Sequence, residues 1–157
     1  MRIELTLAVE TRFRSALRKA GKCEIGGMLF AEQLEPNHFS IIDFSLDASS
    51  GSHAAFRRDP ESHQKILDQF FERTGRNFQR FNYLGEWHSH PSFSVNPSLC
   101  DVQTMTDIVE DRNSTISFAV LLIVRLRFKF FVDRSITVFA RGRSPQRQPI
   151  AKRFGWT

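Results

Sequence analysis

Two histidines one residue apart, followed seven residues later by Ser-x-x-Asp, are the residues of this chain best suited to hydrolytic chemistry: His88, His90, Ser98 and Asp101. They lie in Gly85-Glu86-Trp87-His88-Ser89-His90-Pro91 and in Ser98-Leu99-Cys100-Asp101. The first segment continues an apolar run and reads as the end of a buried strand. Alternation along a strand sends His88 and His90 to one face and Ser89 to the other. Two imidazoles at i and i+2 then reach one small cation. Pro91 stops the strand because it has no N–H for the ladder. Ser98 reads as a helix N-cap, and Asp101 falls in the first turn, where the helix dipole favours a carboxylate. Two His and one Asp leave a tetrahedral zinc with one open position, the catalytic rather than the structural arrangement. The competing reading is a pair of half-buried histidines and a capping box with Asp in place of Glu. The two are compatible, since a hydroxyl and a carboxylate at a helix start can cap and serve a metal at once.

Hydrolysis at such a centre also needs a general base. Glu86 shares the strand face of residues 88 and 90, which gives it a local claim. A carboxylate on the ligand strand, however, more naturally becomes a fourth ligand or a partner of a ligand. Other templates are absent: no H-E-x-x-H, no P-C-x-x-C after the histidines, no G-x-S-x-G and no P-loop.

At these residues the chain resembles the JAMM (MPN+, or JAB-domain) metalloproteases, whose motif is an upstream Glu followed by H-x-H-x7-S-x2-D. The motif is matched at His88, His90, Ser98 and Asp101, and Glu24 precedes Ile25-Gly26-Gly27-Met28-Leu29-Phe30 as the family's Glu precedes its Gly-Gly strand. The resemblance spans roughly residues 5–140. It implies a zinc ion on His88, His90 and Asp101, Glu24 as the base, and Ser98 as a hydrogen-bond donor to the catalytic water or the oxyanion. It implies an isopeptidase or peptidase acting after the C-terminus of a ubiquitin-like modifier, on conjugates or precursors. The modifier's extended tail is expected to enter as an added strand. The compact size and the GEWHSHP wording are most similar to stand-alone prokaryotic members. Several of those accompany activating and conjugating enzymes in bacterial antiphage operons of the CBASS or Bil type. The alternatives are a non-catalytic scaffold that keeps the fold, and a peptidase that processes a sulfur-carrier or phage protein.

The rest of the chain bounds these readings. Its 157 residues make one domain, with 41% hydrophobic and 25% charged residues, as in an ordinary globule. The longest apolar run, residues 118–124, is too short to span a bilayer, and the start lacks the order of a secretory signal. A cytoplasmic protein with no membrane partner is expected. The net charge of +5 equals the five basic residues of 141–157, where there is no acid, so the body is neutral. A domain-wide nucleic-acid surface is therefore not expected. Domain boundaries are set at 1–140 for the metallopeptidase-like domain and 141–157 for a basic, solvated or loosely docked tail. Cys23 and Cys100 are too few for a disulfide framework and are expected to be reduced and half-buried.

The elements that must position the motif follow from periodicity. Ile3, Leu5 and Leu7 alternate as a short strand. Val9, Phe13, Leu17 and Ala20 mark a helix ending at Gly21. Residues 24–31 and 38–46 read as strands around the turn Glu35-Pro36-Asn37. Residues 47–58 read as a polar loop. Asp59 and Pro60 open a helix whose stripe is Ile66, Leu67, Phe70 and Phe71, with Gly75 at its end. His63 lies on that stripe and reads as packed rather than ligating, while His38 and His53 read as solvent-facing. The motif strand runs from about Phe81 to His90, and a helix from Leu99 to Arg112. Strands are expected at 117–126, 128–132 and 136–139. The order gives a single α/β domain, a curved mixed sheet flanked by helices, and the resemblance implies the same cytidine-deaminase-like sandwich.

Overall fold

A computed structural model describes residues 1–47 and 60–149 of the chain. In chain order it contains β1 (Arg2–Leu5), α1 (Leu7–Ala20), β2 (Gly26–Glu35), β3 (His38–Phe44), α2 (Pro60–Arg73) and β4 (Phe81–Ser89). These are followed by α3 (Leu99–Glu110), β5 (Phe118–Arg127), β6 (Phe131–Ala140) and β7 (Gln146–Gln148). The strands form one mixed sheet in the order β1-β3-β2-β4-β5-β6-β7. β1 runs parallel to β3 and β4 parallel to β5, while the other neighbours are antiparallel. Register shifts at Phe30/Ala31, Gln33/Glu35 and Leu29/Phe30 are bulges, which bend β2 and strengthen the local twist. The expected single α/β domain is what forms.

Strand alternation divides the core into two layers. Trp87 on β4, with Val120, Leu122 and Val124 on β5, packs under Val9, Phe13 and Leu17 of α1. Thr6 caps α1, its hydroxyl accepting from the Val9 N–H at 3.3 Å. Phe13 stacks on Phe44 at 4.0 Å and meets Trp87 edge-on at 4.8 Å, a geometry that aromatic rings favour. On the opposite face, Ala119, Leu121 and Ile123 receive Met105 and Val109 of α3, and Met28 and Phe30 receive Phe70 of α2. The middle strand, β4, turns Trp87 toward α1 and so turns Glu86 and His88 toward the side of α2 and α3.

Two close approaches hold β4 in this place. Gly85 has φ 154°, and a Cβ there would sit 2.0 Å from the Val120 carbonyl oxygen. A Cβ on Gly27 would sit 2.1 Å from the Ser45 carbonyl oxygen, the same oxygen that accepts from the Trp87 indole N–H at 2.9 Å.

Several expectations change. The two short strands at 128–132 and 136–139 are one strand, β6, because its polar middle is satisfied at long range. Asp133 pairs with Arg125, Arg134 with Glu10, and the Ser135 hydroxyl donates to the Val95 carbonyl. The basic tail is docked over its first part: Gln146–Gln148 pair with Ile136–Val138. Arg141 donates to the carbonyls of Val109, Asp111, Ser114 and Ile116, closing the end of α3. Cys23 and Cys100 are exposed rather than half-buried: Cys23 lies between α1 and β2, and Cys100 in the first turn of α3, away from its packed residues Met105 and Val109. His38 opens β3 and lies partly buried beside Glu4 at 3.4 Å. Asp59, His53 and nearly all of the 47–58 loop lie outside the described residues.

Candidate metal centre

The centre is assembled at the C-terminal end of β4. Across the antiparallel ladder Gly26 pairs with His88, so the residue facing this imidazole has no side chain. Across the parallel ladder His88 pairs with Ile123. Ser89 points the other way and is 1% exposed, its hydroxyl accepting from the Ile25 N–H at 3.0 Å. The strand closes with His90, whose N–H donates to the Val124 carbonyl at 2.9 Å. This is the alternation expected from sequence, held in place by Trp87 and Ser89 on the reverse face.

His90 Nδ1 lies 2.7 Å from the Ser94 carbonyl oxygen. A carbonyl only accepts, so this nitrogen carries a proton and Nε2 is the atom left to meet a cation. That atom lies 3.0 Å from His88 Nε2. Asp101 completes the group, with Oδ1 at 3.4 Å from His88 Nε2 and Oδ2 at 3.9 Å from His90 Nε2. Ligands about 2.05 Å from a tetrahedral zinc stand about 3.3 Å apart. The three edges bracket that value, and all three donor atoms lie within 4.8 Å of one another. Two His and a carboxylate, with no thiolate, suit a zinc site with room for a fourth, exchangeable ligand.

Asp101 is aimed by the helix it starts. The Ser98 hydroxyl accepts from the Asp101 N–H at 3.1 Å, and Asp101 Oδ2 accepts from the Ser98 N–H at 2.7 Å. Burial by itself would raise the Asp101 pKa, but His88 beside it and the bonds from Ser98 outweigh burial and bring it down to about 2. The carboxylate is therefore ionised at neutral pH and ready to bind a cation.

The loop between the two halves of the centre is fastened at four successive residues. Arg125 donates to the Phe93 carbonyl at 2.9 Å, His90 to Ser94, Ser135 to Val95, and Arg147 to the Asn96 side-chain oxygen at 2.9 Å. Sequence reasoning missed Arg125, Ser135 and Arg147. The available signal was a lone arginine at the end of the apolar run of β5. His63, read as packed, is 8% exposed and bonds through Nε2 to Asp47 Oδ2 at 3.0 Å. Asp47 in turn bridges to Gly26, joining α2 to the start of β2.

The structure thus brings His88, His90 and Asp101 together and ties Ser98 to them. Glu24 lies one residue before Ile25, whose carbonyl accepts from the Ser89 N–H at 2.8 Å. Continuing that register puts Glu24 at the level of His90. Glu24, Glu86, Cys23 and Cys100 do not belong to the group of donor atoms within 4.8 Å of one another. Glu86 is 6% exposed and projects from the same face as His88, two residues earlier on β4. No helix among the described residues is long and apolar enough to cross a membrane.

Comparison with known proteins places this arrangement. The chain is 29% identical over 124 residues to a CD-NTase/cGAS isopeptidase of Vibrio cholerae serotype O1, across 75% of this chain and 74% of that protein. Its fold is similar to the solution structure of a Desulfitobacterium hafniense protein, with a TM-score of 0.67, 18% identity, and coverage of 95% of this chain and 91% of that one. A solution structure from Salinibacter ruber gives 0.60, 16%, 96% and 92% in the same order. Residues 6–137 match the family described as prokaryotic homologs of the JAB domain, and the chain belongs to that family.

Proposed function

We propose that this chain is a zinc-dependent isopeptidase that cleaves after the C-terminus of a ubiquitin-like modifier, releasing it from conjugates or precursors. The observation that carries the reading is the convergence of His88, His90 and Asp101, with the carboxylate held by the Ser98 capping box. Membership of the JAB family supports it, as does the isopeptidase name of the Vibrio relative. That name also favours a conjugate of a CD-NTase-type protein as the substrate here. In this reading the chain works in the cytoplasm, beside activating and conjugating enzymes of an antiphage system.

His88, His90 and Asp101 would hold the zinc, which when bound supplies Lewis acidity and brings a water's pKa to around 7. Glu24 takes the water's proton and returns it to the leaving amine, a shuttle that suits a carboxylate outside the ligand group. The Ser98 hydroxyl already accepts from the Asp101 N–H, so its own hydrogen is free to donate to the oxyanion. Both edges of β4 are occupied, by β2 and β5, so an added strand has no open edge beside His88 among the described residues. The tail enters beside the zinc, where Gly26 leaves space next to His88, and its added strand pairs with a segment other than β4.

The test is metal content together with cleavage of a modifier fusion. The purified chain should carry one zinc and cut at the modifier's terminal residue. Glu24→Gln should keep the zinc and lose turnover. A chain without stoichiometric zinc, or a Glu24→Gln variant as active as the parent, overturns the reading.

A further inference from the structure

The hairpin joining β5 to β6 extends past the metal centre. Ser89 is level with Val124 on β5, and the strand continues to Arg127 before turning. Three further residues place the tip roughly 10 Å beyond the ligands. The tip carries Phe128, Phe130 and Phe131, which are 73%, 65% and 67% exposed. Single exposed apolar residues are ordinary, but three aromatic rings within four residues form a patch that needs a reason.

Cations surround the rings. The Arg127 guanidinium lies 5.2 Å from the Phe128 ring centre, and that of Arg18 lies 5.6 Å from the Phe130 ring centre. Arg18 also donates to the Lys129 carbonyl at 3.0 Å, bringing the basic end of α1 beside the tip. Lys19, Lys22 and Lys129 are exposed. The nearest acid in sequence, Asp133, lies 3.5 Å from Arg127 and 2.8 Å from Arg125, so Arg127 is partly offset, and Arg18 and Lys129 supply the rest of the collar's charge.

The turn has been given an unfavourable sequence. The Phe130 N–H donates to the Arg127 carbonyl, with φ 50° at Phe128 and 63° at Lys129. This is a type I′ geometry, for which Asn-Gly is the low-strain choice. A Phe held at positive φ on a solvent-facing tip points to a role for its ring outside the fold.

We propose that this hairpin tip is a peripheral docking element for an anionic lipid surface. The three rings enter the headgroup boundary while Arg18, Arg127 and Lys129 meet the lipid charges. No membrane partner is expected from sequence, because the longest apolar run, residues 118–124, is too short to span a bilayer. Surface contact needs only aromatic rings with a basic collar. A nucleic-acid strand fits less well, because strand-binding proteins track the backbone along a basic groove and this patch is a convex tip. The overhang of roughly 10 Å leaves room for an extended chain between the lipid surface and the metal ligands, since strands lie about 5 Å apart. The proposal does not depend on which bond the centre cleaves.

The test is co-sedimentation of the full chain with vesicles of phosphatidylcholine containing about 30% phosphatidylglycerol, and with pure phosphatidylcholine. Binding to the anionic vesicles should exceed binding to the neutral ones by about tenfold or more and weaken with salt. Phe128→Asn with Lys129→Gly suits the turn better than the parent sequence, so loss of binding in that variant is not a folding failure. Phe130→Ser with Phe131→Ser should also lose binding while keeping the parent's melting temperature, and Lys129→Gln should weaken it about fivefold. Absence of anionic-vesicle binding overturns the proposal. Equal binding to neutral vesicles, or a Phe128→Asn/Lys129→Gly protein that binds as the parent does, overturns it too. So does a preference for a single-stranded oligonucleotide that the Phe variants abolish.

Discussion

Ser98→Ala separates the two jobs assigned to one hydroxyl. As N-cap, Ser98 accepts from the Asp101 N–H at 3.1 Å, and losing that bond costs about 1 kcal/mol. In a chain of this size that lowers the melting temperature by about 2–4 °C. Asp101 stays aimed, because its Oδ2 accepts from the Ser98 backbone N–H, which the substitution keeps. Zinc affinity should therefore fall by less than about tenfold, the lower end of what losing a ligand's supporting partner does. Turnover should fall by about a hundredfold if the hydroxyl also donates to the oxyanion. Three measurements on one variant read these apart: a thermal melt, zinc retention against a chelator, and cleavage of a modifier fusion at saturating zinc. A variant that melts a few degrees lower, holds zinc and turns over within about threefold of the parent would refute the oxyanion role. A variant that loses zinc altogether would refute the claim that the backbone bond holds Asp101.

Three further outcomes are expected. Gly85→Ala pushes a Cβ against the Val120 carbonyl and should destabilise the protein by about 3–5 kcal/mol, from overpacking plus broken ladder bonds, read as a lower urea midpoint. Burial alone would raise the Asp43 pKa, but Arg12, Arg73 and the Phe44 N–H hold it below its ordinary value. Its contribution is therefore present above the unfolded value of about 3.9 and lost as pH falls through the folded one. Arg73→Ala should accordingly shrink the difference in urea midpoint between neutral and acid pH, measured on chelated protein so that the histidines' metal does not enter. Arg125→Met removes the donor to the Phe93 carbonyl and one of the two arginine partners of Asp133, and should speed zinc loss to a chelator by about tenfold. Unchanged zinc loss would mean that the loop keeps its shape without that bond.

What could be read from the sequence was local. His88 and His90 share a face because strand alternation demands it, and Ser98 and Asp101 form the reciprocal cap that their spacing allows. The α1 stripe of Val9, Phe13 and Leu17 is buried as its period requires. What escaped depended on partners distant in sequence. Asp133-Arg134-Ser135 looks like a break, yet each side chain is satisfied from β5, α1 or the metal loop, so the strand runs through. Gln146-Arg147-Gln148 shows no apolar alternation because it is an edge strand, paired only to β6 in the described sheet. Glu24 could be nominated from sequence only by resemblance, since β2 and β4 are separated by about fifty residues and their register appears only in the fold.

The side chains of His90 and Asp101 and the backbone of His88 are fixed by groups other than a metal. His88 rides on a strand anchored from behind by Trp87, which bonds to Ser45. His90 is tied to Ser94, and Asp101 to Ser98. A site arranged in this way does not need its ion to fold. In metal-dependent folds, the binding energy is the folding energy and chelation unfolds the chain. Here the α1 layer carries no ligand, and α3, which carries Asp101, is also held to the sheet by Met105 and Val109. Chelation should therefore leave the far-ultraviolet circular dichroism intact. It should lower stability only by the linkage term, about 3–4 kcal/mol when free zinc is 100 to 1,000 times its dissociation constant. Adding zinc back in steps should restore the melting temperature along that same logarithmic curve. A chain that unfolds on chelation would show that the cation, and not these bonds, orders the loop from His90 to Ser98.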